Sequence, residues 1–384
     1  MKTTVKMSTF PSSQRRGGAA RREPDRAKPQ EKRRRGGQFG TNTGFCRSDH
    51  PVCAFAPLGA STPPLRGGEC SRRGFLASLG ALGASGFLPP AKRGIIDVHH
   101  HIGGGGKWSP ARAVEEMDRN GIATGIGYLG PVQSARQARQ LNEGGAQLGK
   151  DFPGRFGLFA ALPMSDVDGT MKEIEYALDV LKADGFGIST SYSGLWLGDP
   201  KLRPIWVELN RRKAVVYVHP SDDPCCTSGT LSYETQGTSG PWLEWPMNTA
   251  RTIFSLMANG ITRDFPDLRF IFSHGGGVMP LLIHRIAGFT DWDAVGPERL
   301  RTLFPNGIEA EFRKLYFEGA QAYSPVNMDA LMKLVPASHI LFGTDYDRFP
   351  IAHSIRLFEA LRLPANVRRG IERENALALL PRWR

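Results

Sequence analysis

The alternation of short apolar runs with stretches of helical periodicity is the feature that most restricts the fold of this chain. From residue 94 onward, eight runs are rich in β-branched and aromatic residues and are apolar on both faces. Such runs are typical of parallel strands covered by helices, and eight of them favour a (β/α)8 TIM barrel over an open doubly wound sheet. The predicted strands span 94–99, 122–129, 155–160, 185–189, 214–219, 269–273, 314–317 and 339–342, and the predicted helices span 111–120, 134–148, 169–182, 202–212, 247–258, 278–286 and 326–334.

Charge is distributed unevenly along the chain. Residues 1–94 carry 18 of the 49 Lys and Arg and 5 of the 37 Asp and Glu, which leaves 31 basic and 32 acidic side chains for the other 290 residues. Because the body is close to neutral, it lacks the basic surface that nucleic-acid binding needs, and we expect no nucleic-acid partner. A body of this length buries one substantial core, so residues 94–384 are predicted to form a single barrel domain.

The residues before the predicted barrel have the composition of a leader segment. Residues 1–70 are rich in Arg, Gly, Pro and Ser, and we expect them to be disordered because they bury too little apolar surface to offset the entropy of ordering. Residues 71–93 resemble a twin-arginine export signal, in which SRRGFL at 71–76 precedes a Gly- and Ala-rich apolar run. That run is too short for stable insertion in a membrane. The prediction is export to the periplasm through the twin-arginine machinery, and a basic tail on a cytoplasmic protein is the alternative.

Polar side chains stand where the predicted strands end. The first strand leads into three consecutive histidines, and alternation places His99 and His101 on the same side. His219 ends the fifth strand, His274 follows the sixth and Asp345 follows the eighth. In a TIM barrel the C-terminal ends of the strands surround one pocket. Imidazoles with a carboxylate suit a divalent metal, for which zinc is favoured and manganese and iron are alternatives.

Glycine-rich stretches do not indicate a nucleotide cofactor. The run at 103–106 lacks the strand–turn–helix context of a dinucleotide fingerprint, and the run at 275–277 lacks the lysine of a P-loop. An open coordination position on the predicted metal would instead polarise a substrate oxygen or lower the pKa of bound water to about 7. The sequence therefore predicts metal-assisted chemistry.

Several motifs together carry a family resemblance. From residue 94 to 382 the chain resembles the amidohydrolase superfamily, in the branch of aminocarboxymuconate-semialdehyde decarboxylase. The stretches at 166–169 and 197–200 look most similar to 6-methylsalicylate decarboxylases and their bacterial relatives. The motifs that carry the superfamily resemblance are DVHHH at 97–101, VHP at 218–220, FPDL at 265–268, FSHGGG at 272–277 and LFGTDY at 341–346.

The resemblance implies a role for each strand-end residue. It makes His99, His101, His219 and Asp345 the metal ligands and His274 an acid/base beside the metal. The fourth predicted strand lacks the carboxylated lysine of two-metal members, so one metal ion is expected. Barrels of this branch are often homodimers.

The implied reaction is the decarboxylation of a small aromatic or unsaturated carboxylic acid, such as a salicylate-like acid, with release of CO2. Asp345 or His274 would protonate the ring carbon. Arg251 and Arg285 are candidates to bind a second anionic group of the substrate, because an Arg fork matches a carboxylate; structural helix positions are the alternative for both. Trp245, like Trp108 and Trp242, would wall an aromatic pocket, or simply pack.

Two other functions use the same residues. The metal would equally activate water to hydrolyse a lactone, ester or amide, with the aspartate as general base. A non-catalytic metal-binding protein is the third possibility, against which the complete ligand set argues. The sequence departs from close relatives in three places: 248–251 reads NTAR instead of DTTR, Glu318 stands where Asp is common, and Asp347 stands where Pro is common. These departures bear on the substrate more than on the metal.

Overall fold

A computed structural model describes residues 94–103, 108–223, 240–289 and 297–384. The predicted leader and export signal lie outside these ranges. Within the described ranges, no helix combines the length and the apolar character that crossing a membrane would require.

Eight parallel strands form the sheet, and neighbours along the chain are neighbours in the sheet. Beyond the last strand, the Val98 amide donates to the Phe342 carbonyl at 2.9 Å and the Asp345 amide donates to the His99 carbonyl at 2.9 Å, which joins the last strand segment to the first. The predicted (β/α)8 barrel is thereby confirmed. The barrel strands are β1 (Ile95–His101), β2 (Ile122–Tyr128), β3 (Phe156–Ala161), β4 (Gly185–Ser189), β5 (Val215–His219), β6 (Arg269–Phe272), β7 (Tyr316–Glu318) and β8 (Ile340–Leu341).

Helices lie between the strands and after the last one. Side chains of Ser109, Ser134 and Ser324 each accept a hydrogen bond from a backbone amide in the first turn that follows, which sets where three of the helices begin. The helices are α1 (Pro110–Asn120), α2 (Ala135–Asp151), α3 (Val167–Asp179), α4 (Arg203–Arg211), α5 (Glu244–Ala258), α6 (Ile261–Asp264), α7 (Met279–Gly288), α8 (Pro297–Leu303), α9 (Ile308–Phe312), α10 (Pro325–Leu334), α11 (Ile351–Ala360), α12 (Ala365–Arg369) and α13 (Asn375–Leu379).

Some predicted boundaries were wrong by a few residues. Helix α5 begins at Glu244 and not at residue 247, because Pro246 lies in its first turn, where a missing amide proton breaks no helical hydrogen bond. Strand β1 continues to His101, two residues beyond the predicted end. Helices α6, α8 and α9 and those after β8 were not predicted; most are of seven residues or fewer, too short to show a clear helical period.

The core has two layers, one inside the barrel and one between sheet and helices. Ile96, Val98, Phe159 and Tyr217 come from strands spread around the barrel and pack into one cluster, which marks its interior. Ala376 and Leu380 from the C-terminal segment belong to the same cluster, and Trp383 packs against it. The barrel is therefore filled from the N-terminal ends of its strands, and the polar side chains gather at the other end.

Candidate metal centre

Four predicted ligands converge at the C-terminal ends of the strands. One donor atom from each of His99, His101, His219 and Asp345 lies within 4.8 Å of the others, and all four residues are buried. His99 and His101 stand at the end of β1, His219 is the last residue of β5, and Asp345 follows β8. The predicted convergence is thus what the structure shows.

A register shift in β1 helps to aim the first histidine inward. Between Asp97 and His100 the pairing of β1 with β2 is irregular. Val98 packs in the interior cluster, and His99 also reaches that side, with its ring centroid 5.3 Å from that of Tyr217. A bulge changes which side chains face inward without ending the strand, and simple alternation cannot predict it.

Asp345 binds the two β1 histidines together. Its Oδ1 lies 2.9 Å from Nε2 of His101 and 3.3 Å from Nε2 of His99, and these two Nε2 atoms are 3.3 Å apart. Burial opposes ionisation of the carboxyl, but the charge of His99 and the hydrogen bond from His101 lower the pKa of Asp345 below its usual range. The carboxylate therefore presents a negative oxygen to the centre of the cluster.

His219 has its lone pair free for a metal ion. Its Nδ1 donates to the Pro220 carbonyl at 2.8 Å, so its Nε2 carries no proton in the neutral ring. Nε2 is buried and has no hydrogen-bond partner. Burial, followed by the nearby charges of His101 and His99, lowers the pKa of His219 well below its usual value. The ring is held by the Tyr128 ring, stacked at 4.8 Å with 20° between the planes.

Glu318 orients His99. The sequence alone indicated no such role for this residue, only that a glutamate stands where aspartate is common. It is fully buried at the end of β7, and its Oε1 accepts a hydrogen bond from His99 Nδ1 at 2.8 Å. Burial alone would lower the pKa of His99, but the charges of Glu318 and Asp345 outweigh it and raise that pKa to about 10. A carboxylate behind an imidazole fixes the tautomer that points Nε2 at a metal.

Asp97 connects the two strands that carry three of the four donors. Its Oδ1 accepts hydrogen bonds from the backbone amides of His99 and Thr344, both at 3.0 Å. His100, which alternation turns away from the cluster, places Nδ1 3.2 Å from the Asp97 Oδ2. The buried carboxylate thus holds β1 against the segment that presents Asp345.

His274 stands beside the cluster. Its Nε2 is buried without a hydrogen-bond partner, 3.5 Å from the Asp345 Oδ2. Both His274 and Asp345 have positive φ angles, 54° and 60°, a conformation that costs a non-glycine residue energy and that clusters at functional sites. The backbone is held in these conformations where the two side chains meet.

The predicted substrate-binding residues lie in different surroundings. The Trp245 ring contacts His219 edge to face, with centroids 5.7 Å apart, and its indole N–H donates to Asp222 at 2.8 Å. Arg251 donates to the Asn248 side chain at 2.7 Å and is partly exposed. Arg285 is exposed, and its guanidinium lies over the Phe289 ring. Of the three, Trp245 has a contact with the cluster.

The other two tryptophans also differ from each other. Trp242 is 73% exposed, so it does not line a buried pocket in this structure. Trp108 is partly buried, and its indole nitrogen lies buried without a hydrogen-bond partner.

The donor set fits one divalent cation. Three imidazoles and a carboxylate are a common ligand set for zinc and related metals, and the buried, unpartnered Nε2 of His219 is a group that costs free energy unless something binds it. Hydrogen bonds donated by Nδ1 of His99 and of His219 leave Nε2 as the ligand atom of each ring.

Known proteins are similar to most of this chain. A family model described as Amidohydrolase matches residues 96–382. A 6-methylsalicylic acid decarboxylase from Penicillium expansum is 35% identical over 317 residues, which are 77% of this chain and 94% of that protein.

Two solved structures share the fold. A 2,6-dihydroxybenzoate decarboxylase complexed with 2,6-dihydroxybenzoate is 23% identical with a TM-score of 0.64, over 75% of this chain and 99% of that one. A dihydroxybenzoic acid decarboxylase from Polaromonas sp. JS666, with bound manganese and the inhibitor 2-nitroresorcinol, is 22% identical with a TM-score of 0.65, over 76% of this chain and 98% of that one.

Proposed function

The chain belongs to the amidohydrolase family, and from this premise we propose that it is a metal-dependent decarboxylase of a small hydroxylated aromatic acid of the salicylate type. The observation that carries the proposal is the buried cluster of three imidazoles and a carboxylate with His274 beside it. The 35% identity to a 6-methylsalicylic acid decarboxylase, over nearly the whole of that protein, supports this substrate class.

The proposed ligands are His99, His101, His219 and Asp345, and the proposed metal is a single zinc ion. Manganese is the alternative, because the similar dihydroxybenzoic acid decarboxylase contains it. A divalent cation in this position would supply charge stabilisation for the phenolate and carboxylate oxygens of the substrate.

His274 is the proposed proton donor. In the reaction, a C–H bond forms at the ring carbon that carries the carboxylate, the bond to that carboxylate breaks, its electron pair returns to the ring, and CO2 leaves. Asp345 is a poor proton source because its pKa is lowered and its oxygens already face three imidazoles. His274 presents a buried ring nitrogen with no hydrogen-bond partner, and solvent would restore its proton after each turnover.

Trp245, Arg251 and Arg285 are the proposed substrate contacts. Trp245 is held by Asp222 next to His219, where its ring would pack against an aromatic substrate. Arg251 and Arg285 would bind a second anionic group only if their side chains leave the present contacts with Asn248 and Phe289. Separate replacement of each arginine by methionine, with KM measured for acids that have and lack that second group, tests this assignment.

Product analysis tests the reaction itself. Purified protein loaded with zinc or manganese is incubated with 6-methylsalicylate, 2,6-dihydroxybenzoate and a panel of aryl lactones and esters. Release of CO2 with one equivalent of the decarboxylated phenol is expected. Ring opening of a lactone without CO2 would instead assign the protein to the hydrolases, and turnover that survives complete chelation would remove the metal from the reaction.

Export and assembly are further proposals. The SRRGFL motif at 71–76 supports export through the twin-arginine machinery, and mass spectrometry of the native N-terminus tests it. A homodimer is proposed by family resemblance, and the mass of the purified protein in solution tests it.

A further inference from the structure

Glu318 does more than orient one ligand. Its Oε1 accepts a second hydrogen bond, from the backbone amide of His274 at 2.8 Å, in addition to the bond from His99 Nδ1 at the same distance. Its Oε2 accepts from the Ala320 amide at 2.6 Å. One fully buried carboxylate therefore holds both a proposed metal ligand and the backbone of the proposed proton donor.

This carboxylate has to cross a neighbouring strand to reach His99. Glu318 lies on β7 and pairs in register with Leu341 of β8, whereas His99 lies on β1, on the far side of β8. The crossing point is Gly343, two residues beyond that pair. A Cβ atom at residue 343 would lie 2.0 Å from the Glu318 Oε2, 2.7 Å from its Cδ and 3.1 Å from the His99 Cβ.

Neither of the first two distances is possible between non-bonded atoms. The carboxylate cannot move away cheaply, because three hydrogen bonds hold it and its whole side chain is buried. Gly343 is not needed for an unusual backbone angle, since it does not have a positive φ. Space for the glutamate is the reason that a glycine is required here.

We propose that Glu318 and Gly343 form one positioning unit, in which the missing side chain at 343 lets the glutamate cross β8 and orient His99 and His274 together. Glu318 is a positioning residue, because it acts through these two histidines. The inference concerns the site of the proposed function and rests on it, but metal binding tests it without any substrate.

Four variants test the unit: Gly343→Ala, Glu318→Asp, Glu318→Gln and the double variant Glu318→Asp with Gly343→Ala. The measurements are affinity for Zn2+ by competition with a chromophoric chelator, the visible absorption bands of the Co2+-loaded protein, and thermal unfolding of the metal-free form. Each single variant is expected to lose about 10–100-fold in metal affinity and to change the Co2+ spectrum, because removal of the group behind a ligating imidazole has that effect. Glu318→Gln is included because its side-chain NH2 group would face the backbone N–H of Ala320, and two donors cannot form a hydrogen bond with each other.

The double variant makes the test specific. Aspartate removes the two atoms that an alanine at 343 would strike and leaves only the tight contact with the His99 Cβ at 3.1 Å, so Gly343→Ala is expected to add much less loss in the Glu318→Asp background than in the wild type. If Gly343→Ala fails to fold, the double variant is expected to fold. Three results would each overturn the proposal. The losses of metal affinity in the two single variants could add in the double variant, the double variant could be as unfolded as Gly343→Ala, or Gly343→Ala could keep wild-type metal affinity.

Two matched controls separate positioning from general stability. Gly144→Ala adds a methyl group in α2 where no atom lies within 4 Å, and should leave affinity and spectrum unchanged. Glu173→Gln alters a buried carboxylate that binds Asn142 and Arg139 away from the site, and should lower thermal stability without changing metal affinity. If the wild-type protein binds no metal, the proposed function is refuted. If the wild type binds metal and Gly343→Ala leaves the metal affinity unchanged, this inference alone is refuted.

Discussion

Both ends of the barrel bury polar side chains, but only the upper end leaves histidine nitrogens of its central cluster without a hydrogen-bond partner. At the N-terminal ends of the strands, the Asp184 side chain is 1% exposed and accepts hydrogen bonds from the Leu158 amide at 2.7 Å, the Trp383 indole at 2.8 Å and Arg382 at 2.7 Å. At the opposite end, Nε2 of His219 and Nε2 of His274 are buried with no hydrogen-bond partner.

This difference separates stability from function. A buried polar group with all its partners contributes to stability, while one without a partner costs free energy until something binds it. In TIM barrels the lower end generally stabilises the fold and the upper end carries the chemistry. Substitutions at the upper end should therefore change metal affinity and the turnover rate, and substitutions at the lower end should change the free energy of unfolding.

The largest effect is expected from His219→Phe. Phenylalanine keeps the ring stacked against Tyr128 but removes the nitrogen that faces the cluster, so metal binding and CO2 release should both be lost. Thermal unfolding of the metal-free form should change little, because the loss of the unpartnered Nε2 favours the fold and the loss of the Nδ1 bond to the Pro220 carbonyl opposes it. Chelator competition and calorimetry measure the two quantities, and retained metal affinity would contradict the ligand assignment.

His274→Asn should remove the proton donor while keeping the metal. We expect kcat to fall by about 10²–10⁴-fold, the usual contribution of a general acid, with metal affinity close to wild type. Steady-state CO2 release by the metal-loaded variant measures this. An unchanged kcat would exclude His274 from the reaction.

Asp184→Asn probes the opposite end. The amide retains the shape of the side chain but weakens its bonds to Arg382 and Leu158, so the free energy of unfolding should fall by about 1–3 kcal/mol. Denaturant unfolding of the metal-free protein gives this value. Metal affinity should not change, and a parallel loss of affinity would mean that the two ends are not independent.

Metal binding should release a proton at neutral pH. The pKa of His99 is raised to about 10, so between pH 7 and 9 the metal-free protein holds a proton that a metal must displace from Nε2. Apparent affinity should therefore rise about tenfold per pH unit in this window and level off near pH 10. Titration calorimetry in buffers of different ionisation enthalpy counts the protons, and a count of zero would contradict the charged state of His99.

The smallest effect is expected from Trp245→Leu. Loss of an aromatic contact costs about 0.5–1.5 kcal/mol, so KM for an aromatic acid should rise roughly 2–10-fold with a smaller change in kcat. Trp242→Leu is the matched control, because Trp242 is 73% exposed and should not affect KM. Equal effects of the two changes would remove Trp245 from the substrate pocket.

Periodicity and strand-end positions were enough to predict the barrel and the four converging donors. Eight apolar runs predicted the sheet order, and alternation placed His99 and His101 together. The supporting groups were not predictable in the same way. Glu318 reaches His99 from a strand more than 200 residues away in sequence, and the space it needs depends on Gly343, a residue that looks ordinary in the sequence. Such contacts depend on how a side chain of one strand extends past the next strand, and the periodicity of a sequence carries no information on that.

The central claim is that one cation binds among His99, His101, His219 and Asp345. Crystals of the metal-loaded protein, with anomalous diffraction measured on both sides of the zinc absorption edge, test it directly. One anomalous peak per chain is expected, within bonding distance of Nε2 of the three histidines and of a carboxylate oxygen of Asp345. A peak elsewhere in the molecule, or none at this position in protein that releases CO2, would contradict it.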